Sequence, residues 1–283
     1  MSRYRTGELL GVAIVAMALT CSVRSTAAPG APPPPKLVTF DGLPARAGPL
    51  TMRGYLRRPP GNGQLPAVVL LHSCNSSGHD LDARWGAKLA SWGFVTLTLD
   101  NLNLRTPENT CGSGLPPDFG FDAYRALNFL ARQPFVNPAN VTLMGFSQGG
   151  YLTLLSTERG LVERLSKYKF RAAIAFYPLC TGFKGVMTVP TLILIGARDD
   201  WMPAEACRTM AEGRDDWGIS RQKSNGAPIQ LIVYPDAYHA FDIPELTLPI
   251  VYAGHRLQFD EAAAHQSFTA VRRFLDRVSN EKP

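Results

Sequence analysis

The sequence is poor in charged residues and lacks several patterns that mark particular protein classes. Asp, Glu, Lys and Arg make up 18% of its 283 residues, below the ~25% of an average soluble protein. No internal repeat appears, which argues against a repeat architecture. The net charge is +6, but no basic stripe interleaved with aromatic residues accompanies it. We therefore expect a compact, loop-rich enzyme with an ordinary basic surface and no nucleic-acid partner.

The N-terminal apolar run is too short for a membrane span. Two arginines precede Leu9–Leu19, whereas a transmembrane helix needs about 20 apolar residues. This pattern is typical of a secretory signal peptide. We predict one over residues 1–27, cleaved after Ala27 or, less favoured, after Ala28; an uncleaved anchor and lipidation at Cys21 are the alternatives. The mature protein is then expected to be periplasmic or secreted, without stable membrane insertion.

After cleavage, residues 28–35 form a proline-rich lead-in, and a single domain is predicted over residues 36–283. Four cysteines remain, an even number in a compartment where disulfides persist. Two bridges are predicted, with buried free thiols as the alternative. Because no C-x-x-C spacing occurs, a metal site is not expected. The four cysteines are Cys74, Cys111, Cys180 and Cys207.

Short apolar runs alternate with helical patterns from Ala67 onward. This rhythm is typical of a mostly parallel sheet with helices on both faces, so the predicted fold class is α/β. Two antiparallel edge strands are predicted first, at Leu37–Phe40 and Leu50–Tyr55. The parallel strands are predicted at Ala67–Leu71, Val95–Leu99, Val141–Gly145, Ala172–Tyr177, Thr191–Ile195 and Ile229–Tyr234. The helices are predicted at Leu81–Ser91, Phe119–Arg132, Gly149–Glu158, Ala204–Gly213 and Asp260–Val278.

A serine in a glycine-rich turn is the first candidate for chemistry. Residues Gly145–Gly149 match G-x-S-x-G, directly after one predicted strand and at the start of a predicted helix. This context exposes a serine on a sharp turn, where a base can remove its proton. Ser147 is therefore predicted to be a nucleophile. The alternative is an ordinary glycine-rich turn in which the serine caps the helix.

A base is available later in the chain. His239 lies in the loop after the predicted strand Ile229–Tyr234, at the strand end where sites in parallel sheets form. Its imidazole can accept the proton of Ser147 and return it to the leaving group. A loop histidine taken alone is more often a surface residue, but the order of serine, acid and histidine favours His239 as the base.

Two aspartates compete for the role of the acid that orients His239. Asp199 and Asp200 both follow the predicted strand Thr191–Ile195. The spacing of Asp199 between the strand and Pro203 favours Asp199. Asp200 is expected instead to cap the helix that starts near Pro203.

Backbone N–H groups are expected to stabilise a developing oxyanion. One belongs to Gln148, the residue immediately after Ser147, and the second is assigned to Cys74, in the loop after the first parallel strand. The alternative for the stretch Leu71–Gly78 is a polar loop without a catalytic part.

Together, these residues resemble the dienelactone hydrolase family of α/β-hydrolases, from about Lys36 to Phe274. The resemblance implies an α/β-hydrolase fold, a catalytic triad of Ser147, Asp199 and His239, and activity on small esters or lactones. The founding members use a cysteine nucleophile, so dienelactone itself is not expected as substrate; a secreted subgroup with a serine nucleophile is more similar. The segments that carry the resemblance are Val68–Cys74, Gly145–Gly150, Phe176–Cys180, Leu192–Cys207, Val233–Asp242 and Gly254–Asp260.

The resemblance also bears on Arg105 and on the cysteines. Founding members place an arginine that binds the substrate carboxylate about where Arg105 lies, so Arg105 is a candidate substrate-binding residue; an ordinary surface arginine is equally compatible. The secreted subgroup has paired cysteines. We pair Cys180 with Cys207, both in loops or helix starts at the carboxyl edge of the sheet, and Cys74 with Cys111; the second bridge would connect the loop that contains Cys74 to the loop over the active site.

The function expected from the sequence is that of a serine esterase or lactonase for small molecules, working without a cofactor or metal. A small-peptide hydrolase of the same fold is one alternative, disfavoured because no lid or propeller domain is evident. A non-catalytic binding protein is the other, and it is disfavoured because no member of the triad is missing. The sequence gives no indication of the oligomeric state.

Overall fold

The structure is a computed structural model that describes residues 32–45, 48–74, 76–100, 111, 119–214 and 226–281. The predicted signal peptide and the first part of the proline-rich lead-in lie outside these residues, as does Arg105. Among the described residues, no helix has both the length and the apolar character needed to cross a bilayer.

An eight-stranded sheet forms the centre of the described chain. Its strands follow the order β1-β2-β4-β3-β5-β6-β7-β8. The strands are β1 (Lys36–Ala45), β2 (Gly48–Arg57), β3 (Leu65–Leu71), β4 (Val95–Leu99), β5 (Val136–Phe146), β6 (Ala172–Phe176), β7 (Thr191–Gly196) and β8 (Ile229–Tyr234). β1 and β2 are antiparallel to each other, and β2 is antiparallel to β4. The remaining pairs, from β4 to β8, are parallel. The predicted fold class is therefore confirmed; β5 begins at Val136 rather than at Val141.

Helices cover the sheet at the predicted places. The predicted helix over Leu81–Ser91 begins earlier, at Gly78, and contains a π-helical segment, Asp82–Gly86. Three elements have no counterpart in the prediction: a short helix at Leu161–Arg164, a 3-10 turn at Pro244–Leu246, and a hairpin of β9 (Ile250–Tyr252) and β10 (His255–Leu257). The helices are α1 (Gly78–Leu81), α2 (Ala87–Ser91), α3 (Gly120–Ala131), α4 (Gln148–Thr157), α5 (Leu161–Arg164), α6 (Ala204–Ala211) and α7 (Glu261–Asn280).

Two apolar cores flank the sheet because the central strands are buried on both faces. Every residue of β4, β6 and β7 is buried, the pattern of parallel strands with helices on either side. One core contains Trp85, Phe146 and Phe176, and α7 packs into it. The other contains Leu97 and Leu127 and receives α3. These cores fix the six parallel strands, whose carboxyl ends share one edge of the sheet.

Two disulfides connect loops at that edge. Cys74 is bonded to Cys111, and Cys180 is bonded to Cys207, so both predicted pairings are confirmed. The first bridge attaches the loop after β3 to Cys111. The second attaches the loop after β6 to α6. Both loops are therefore anchored covalently next to the strand ends.

Candidate active site

Ser147 lies on a sharp turn between β5 and α4. Its backbone has φ 52° and ψ −112°, a conformation with positive φ that costs a residue other than glycine about 1–3 kcal/mol. The Ser147 N–H donates to the carbonyl of Phe176 at 2.9 Å, which attaches the turn to the end of β6. The side chain is therefore held at the carboxyl edge of the sheet.

Glycines on both sides of Ser147 permit this turn. A Cβ at Gly145 would lie 2.0 Å from the carbonyl oxygen of Gly149, and a Cβ at Gly149 would lie 2.3 Å from that of Leu71. No side chain fits at such distances, so the backbone of β5, the first turn of α4 and the end of β3 approach one another only because these residues are glycines. The G-x-S-x-G pattern thus has a direct steric cause.

A chain of hydrogen bonds joins the serine to a histidine and an aspartate from two other loops. His239 Nε2 lies 3.0 Å from Ser147 Oγ, and His239 Nδ1 lies 2.8 Å from Asp199 Oδ2. The carboxylate can only accept, so Nδ1 carries the proton and Nε2 is free to accept from the serine hydroxyl. All three residues are buried. The arrangement can transfer a proton from Ser147 to His239 beside a negative charge.

Asp199 is held rigidly by the backbone around it. Its Oδ1 accepts hydrogen bonds from the N–H groups of Trp201 at 3.0 Å and Met202 at 2.8 Å, which leaves Oδ2 for His239. A Cβ at Gly196 would lie 2.1 Å from the carbonyl oxygen of Ala237. Because Gly196 has no side chain, the loop after β7 can approach the loop after β8. The side chains of Asp199 and His239 come into contact as a result.

Asp200 does not cap the following helix, so that prediction is wrong. The helix begins at Ala204 with Pro203 at its N-cap, and no side chain caps it. The Asp200 carboxylate instead accepts a hydrogen bond from the N–H of Arg256, on β10, at 3.2 Å. A capping side chain must stand at the N-cap itself to reach the first free N–H groups, and Asp200 lies three positions too early.

The two residues expected to donate to an oxyanion belong to the start of α4 and to the loop after β3. Gln148 is the first residue of α4, and Cys74 is buried in the loop after β3. The close approach of Gly149 to Leu71 brings the two segments together. The Cys74–Cys111 bridge then limits how far the loop after β3 can move.

His72 is a buried residue at the start of the loop after β3. Its Nδ1 lies 2.7 Å from the carbonyl oxygen of Ser73, which is an acceptor, so Nδ1 carries a proton. Burial of the ring lowers the pKa of His72, and the imidazole is neutral at pH 7. The ring therefore supports the loop and is not placed in the hydrogen-bonded chain of Ser147.

Two aromatic residues that the sequence analysis did not assign to the site contact the imidazole. The ring of Tyr177 lies 4.7 Å from that of His239, and the ring of Trp201 lies 5.1 Å from it, measured between centroids. Tyr177 immediately follows β6 and Trp201 follows Asp199, so both stand at the strand ends where the other candidates were found. Tyr177 is the last residue of the predicted strand Ala172–Tyr177 and Trp201 follows the predicted strand Thr191–Ile195, and this position at strand ends is the available signal.

Comparison with known proteins identifies the family of the chain. A sequence profile of the dienelactone hydrolase family matches residues 118–279, which is more than half of the chain. The chain belongs to the dienelactone hydrolase family. Ser147, Asp199 and His239 lie inside the matched residues, whereas Cys74 and Arg105 precede them.

Solved structures similar to this dienelactone hydrolase family member have the same fold. A dienelactone hydrolase-like promiscuous phosphotriesterase from metagenomic libraries is 19% identical with a TM-score of 0.65, over 87% of this chain and 99% of that one. Esterase 2 of Thermogutta terrifontis, phosphoramylated by tabun, is 17% identical with a TM-score of 0.62, over 87% and 96%. Dipeptidyl peptidase 4 of Porphyromonas gingivalis is 18% identical with a TM-score of 0.59, over 87% of this chain but 36% of that one. At these identities, the structural similarity shows the fold alone.

Within the described part of this family member, no group of three His, Cys, Asp or Glu side chains is arranged to hold a metal ion. Arg105, the candidate for binding a substrate carboxylate, falls outside the residues that the structure describes.

Proposed function

We propose that the protein is a serine hydrolase that cleaves carboxylic esters or lactones of small molecules through a covalent acyl-enzyme. The observation that carries the proposal is the continuous hydrogen-bonded chain from Ser147 through His239 to Asp199. Each member comes from a different loop, and each loop is held by glycine contacts or backbone hydrogen bonds. Burying an aspartate and a histidine costs free energy, whereas burying apolar side chains in their place would not. The arrangement therefore does not serve the stability of the fold.

In the proposed acylation step, His239 Nε2 accepts the proton of Ser147 as Oγ attacks the carbonyl carbon of the substrate. Asp199 keeps the imidazole in the Nδ1–H tautomer and stabilises the imidazolium that forms. The negative charge on the carbonyl oxygen is stabilised by the backbone N–H groups of Gln148 and Cys74. The C–O bond then breaks, and His239 returns the proton to the leaving alkoxide. The products are an ester of Ser147 and a free alcohol.

In the proposed deacylation step, water takes the place of the alcohol. His239 accepts a proton from the water as its oxygen attacks the acyl carbon, and the same N–H groups stabilise the second oxyanion. The proton then passes to Ser147 Oγ as the acyl C–O bond breaks. A carboxylic acid leaves from an ester, and a hydroxy acid leaves from a lactone, whose alcohol remained attached to the acyl group.

Hydrolysis of small peptides is the second candidate, because the fold is also similar to about a third of a dipeptidyl peptidase. Amides have poorer leaving groups than esters, so a peptidase must position its leaving nitrogen with further residues. Paired substrates that differ only in an ester or amide bond distinguish the two candidates. We expect the ester to be cleaved much faster.

The decisive experiment replaces Ser147 by alanine and measures hydrolysis of short p-nitrophenyl esters. We expect activity to fall to background while the protein keeps its fold, because the hydroxyl that is hydrogen-bonded to His239 Nε2 is removed. Ser267→Ala is the matched control: Ser267 is also buried, but its hydroxyl donates to the carbonyl of Ala264 within α7. Wild-type turnover by Ser147→Ala would overturn the proposal.

We further propose that the protein works in the periplasm or outside the cell. Its two disulfides would persist in an oxidising compartment and would be reduced in most cytosols. The predicted signal peptide over residues 1–27 supports the same location. Fractionation of the native host followed by N-terminal sequencing tests this proposal, with the expected mature terminus after Ala27; a full-length cytosolic protein would contradict it.

A further inference from the structure

A second buried carboxylate lies behind the imidazole, three residues after His239. The side chain of Asp242 has no exposed surface, although isolating a carboxylate from water is costly unless it is paired and hydrogen-bonded. Tyr177 Oη donates to Asp242 Oδ1 at 2.6 Å, and Trp85 Nε1 donates to Oδ2 at 2.8 Å. The guanidinium of Arg84 lies 3.2 Å from Oδ2 as an ion pair. Both carboxylate oxygens are therefore engaged.

The π-helical segment Asp82–Gly86 supplies two of these partners. Arg84 and Trp85 are neighbours in the sequence, yet both reach the same carboxylate. π-Helical turns are rare and occur often at functional sites. Trp85 is fully buried among the aromatic residues of the core, so the segment is attached to the core on one side and to Asp242 on the other.

Tyr177 connects Asp242 to the imidazole. Its phenol donates to Asp242, and its ring packs against His239 with 4.7 Å between centroids. Burial and the nearby Asp242 charge raise the pKa of Tyr177 well above its usual value, so the phenol keeps the proton that it donates. The Tyr177 backbone has φ 36°, a left-handed conformation that is costly for a residue other than glycine. The hydrogen bond from the Tyr177 hydroxyl to Asp242 offsets this cost.

We propose that Asp242 is a positioning residue: through its hydrogen bond with Tyr177, it holds the tyrosine ring against His239 and so fixes the imidazole between Asp199 and Ser147. This inference rests on the proposed function and extends it by a second support for the base. Asp199 fixes the imidazole at Nδ1, but it does not control the tilt of the ring. The Tyr177 ring restricts that tilt, and Trp201 contacts the same imidazole.

The test compares the variants Tyr177→Phe, Asp242→Asn and their combination. Tyr177→Phe keeps the aromatic ring and every charge, and it removes only the hydroxyl that donates a hydrogen bond to Asp242. Tyr124→Phe is the matched control, because Tyr124 is also buried and its hydroxyl donates to the Ser156 carbonyl at 2.8 Å, but it packs in the other core of the sheet. If Asp242→Asn does not fold, Tyr177→Phe carries the test alone.

Each single variant is expected to lower kcat about tenfold with an unchanged KM, since misplacing a catalytic group by a fraction of an ångström already has effects of this order. The combined variant is expected to lose no more than about threefold beyond the slower single variant, because the two residues act as one unit. Tyr124→Phe should keep the wild-type kcat. Wild-type kcat in folded Tyr177→Phe, a change in KM alone, or fully multiplicative losses would overturn the inference.

A spectroscopic readout separates this inference from the proposed function. The Nδ1–H proton of His239, assigned with a His239→Gln variant, reports the hydrogen bond to Asp199 by NMR. We expect its resonance to shift or broaden in Tyr177→Phe and Asp242→Asn but not in Tyr124→Phe. If hydrolysis does not depend on Ser147, the proposed function fails and this resonance decides the inference alone; an unchanged resonance in both variants would then overturn it.

Discussion

Replacing Gly149 by alanine tests how the loop after β3, which contains Cys74, is positioned. A Cβ at this position would lie 2.3 Å from the carbonyl oxygen of Leu71 and 2.8 Å from that of His72. Ordinary van der Waals contact begins at 3.4 Å, so the end of β3 and the start of α4 would have to separate by about 1 Å. Both atoms belong to the backbone, so no side-chain rotation relieves the contact. The N–H groups of Cys74 and Gln148, proposed to donate to one oxyanion, would move apart.

The expected losses of activity and of stability are of similar size, about 2.7 kcal/mol for a 100-fold lower rate against about 1–3 kcal/mol for overpacking. A displacement of ~1 Å at a catalytic group costs about 100-fold in rate, close to the effect of removing one oxyanion donor. Overpacking costs about 1–3 kcal/mol of unfolding free energy. Alanine has a higher helix propensity than glycine, by ~1 kcal/mol, so weaker formation of α4 cannot explain a loss of activity or stability.

The assay for Gly149→Ala combines kcat for p-nitrophenyl acetate with unfolding in urea. Gly160→Ala is the matched control, because the nearest atom to its Cβ would be the carbonyl oxygen of Glu158 at 3.8 Å. We expect kcat to fall about 100-fold in Gly149→Ala and to stay at the wild-type value in Gly160→Ala. A folded Gly149→Ala variant with wild-type kcat would refute the assigned role of the loop after β3.

Three further predictions concern other parts of the chain. Replacing Cys180 and Cys207 by serine should lower the unfolding free energy by about 3–4 kcal/mol, because the bridge joins two residues 27 positions apart; unchanged urea unfolding would contradict it. Tyr234→Phe should raise that free energy by about 1 kcal/mol, because the buried Tyr234 hydroxyl has no hydrogen-bond partner among the described residues; a loss on urea unfolding would mean that the hydroxyl is paired. Arg105→Ala should raise KM for esters with a free carboxylate and leave KM for neutral esters unchanged, and equal changes for both would assign Arg105 to the surface.

Much of the fold follows from burial patterns that are local in the sequence. The strands β3, β4, β6 and β7 consist mainly of apolar and threonine residues and have the length of a buried strand; the predicted ends agree within one residue for β4, β6 and β7 and within two for β3. The candidate site follows from the same strands, because the carboxyl ends of parallel strands share one edge. Ser147, Asp199 and His239 each come directly or shortly after such an end, so their meeting could be expected from their order.

The rest depends on contacts between distant residues. The carboxylate of Asp242 meets Tyr177 65 positions away and Trp85 157 positions away, and no local pattern marks these pairs. Asp200 is predicted to cap the following helix, whereas its observed partner, the N–H of Arg256, belongs to a hairpin that the sequence does not predict. That hairpin has short strands with exposed apolar residues, Ile250 and Val251 among them, so it lacks the alternation by which surface strands are recognised.

The most direct test of the central claim is to identify the residue that forms the covalent intermediate. The protein is treated with paraoxon, which phosphorylates an activated serine, and the labelled peptide is sequenced by mass spectrometry. The proposed mechanism predicts a single adduct on Ser147, formed rapidly in the wild type and far more slowly in His239→Ala, which lacks the base. An adduct on another residue, or labelling of Ser147 at the same rate without His239, would contradict the mechanism.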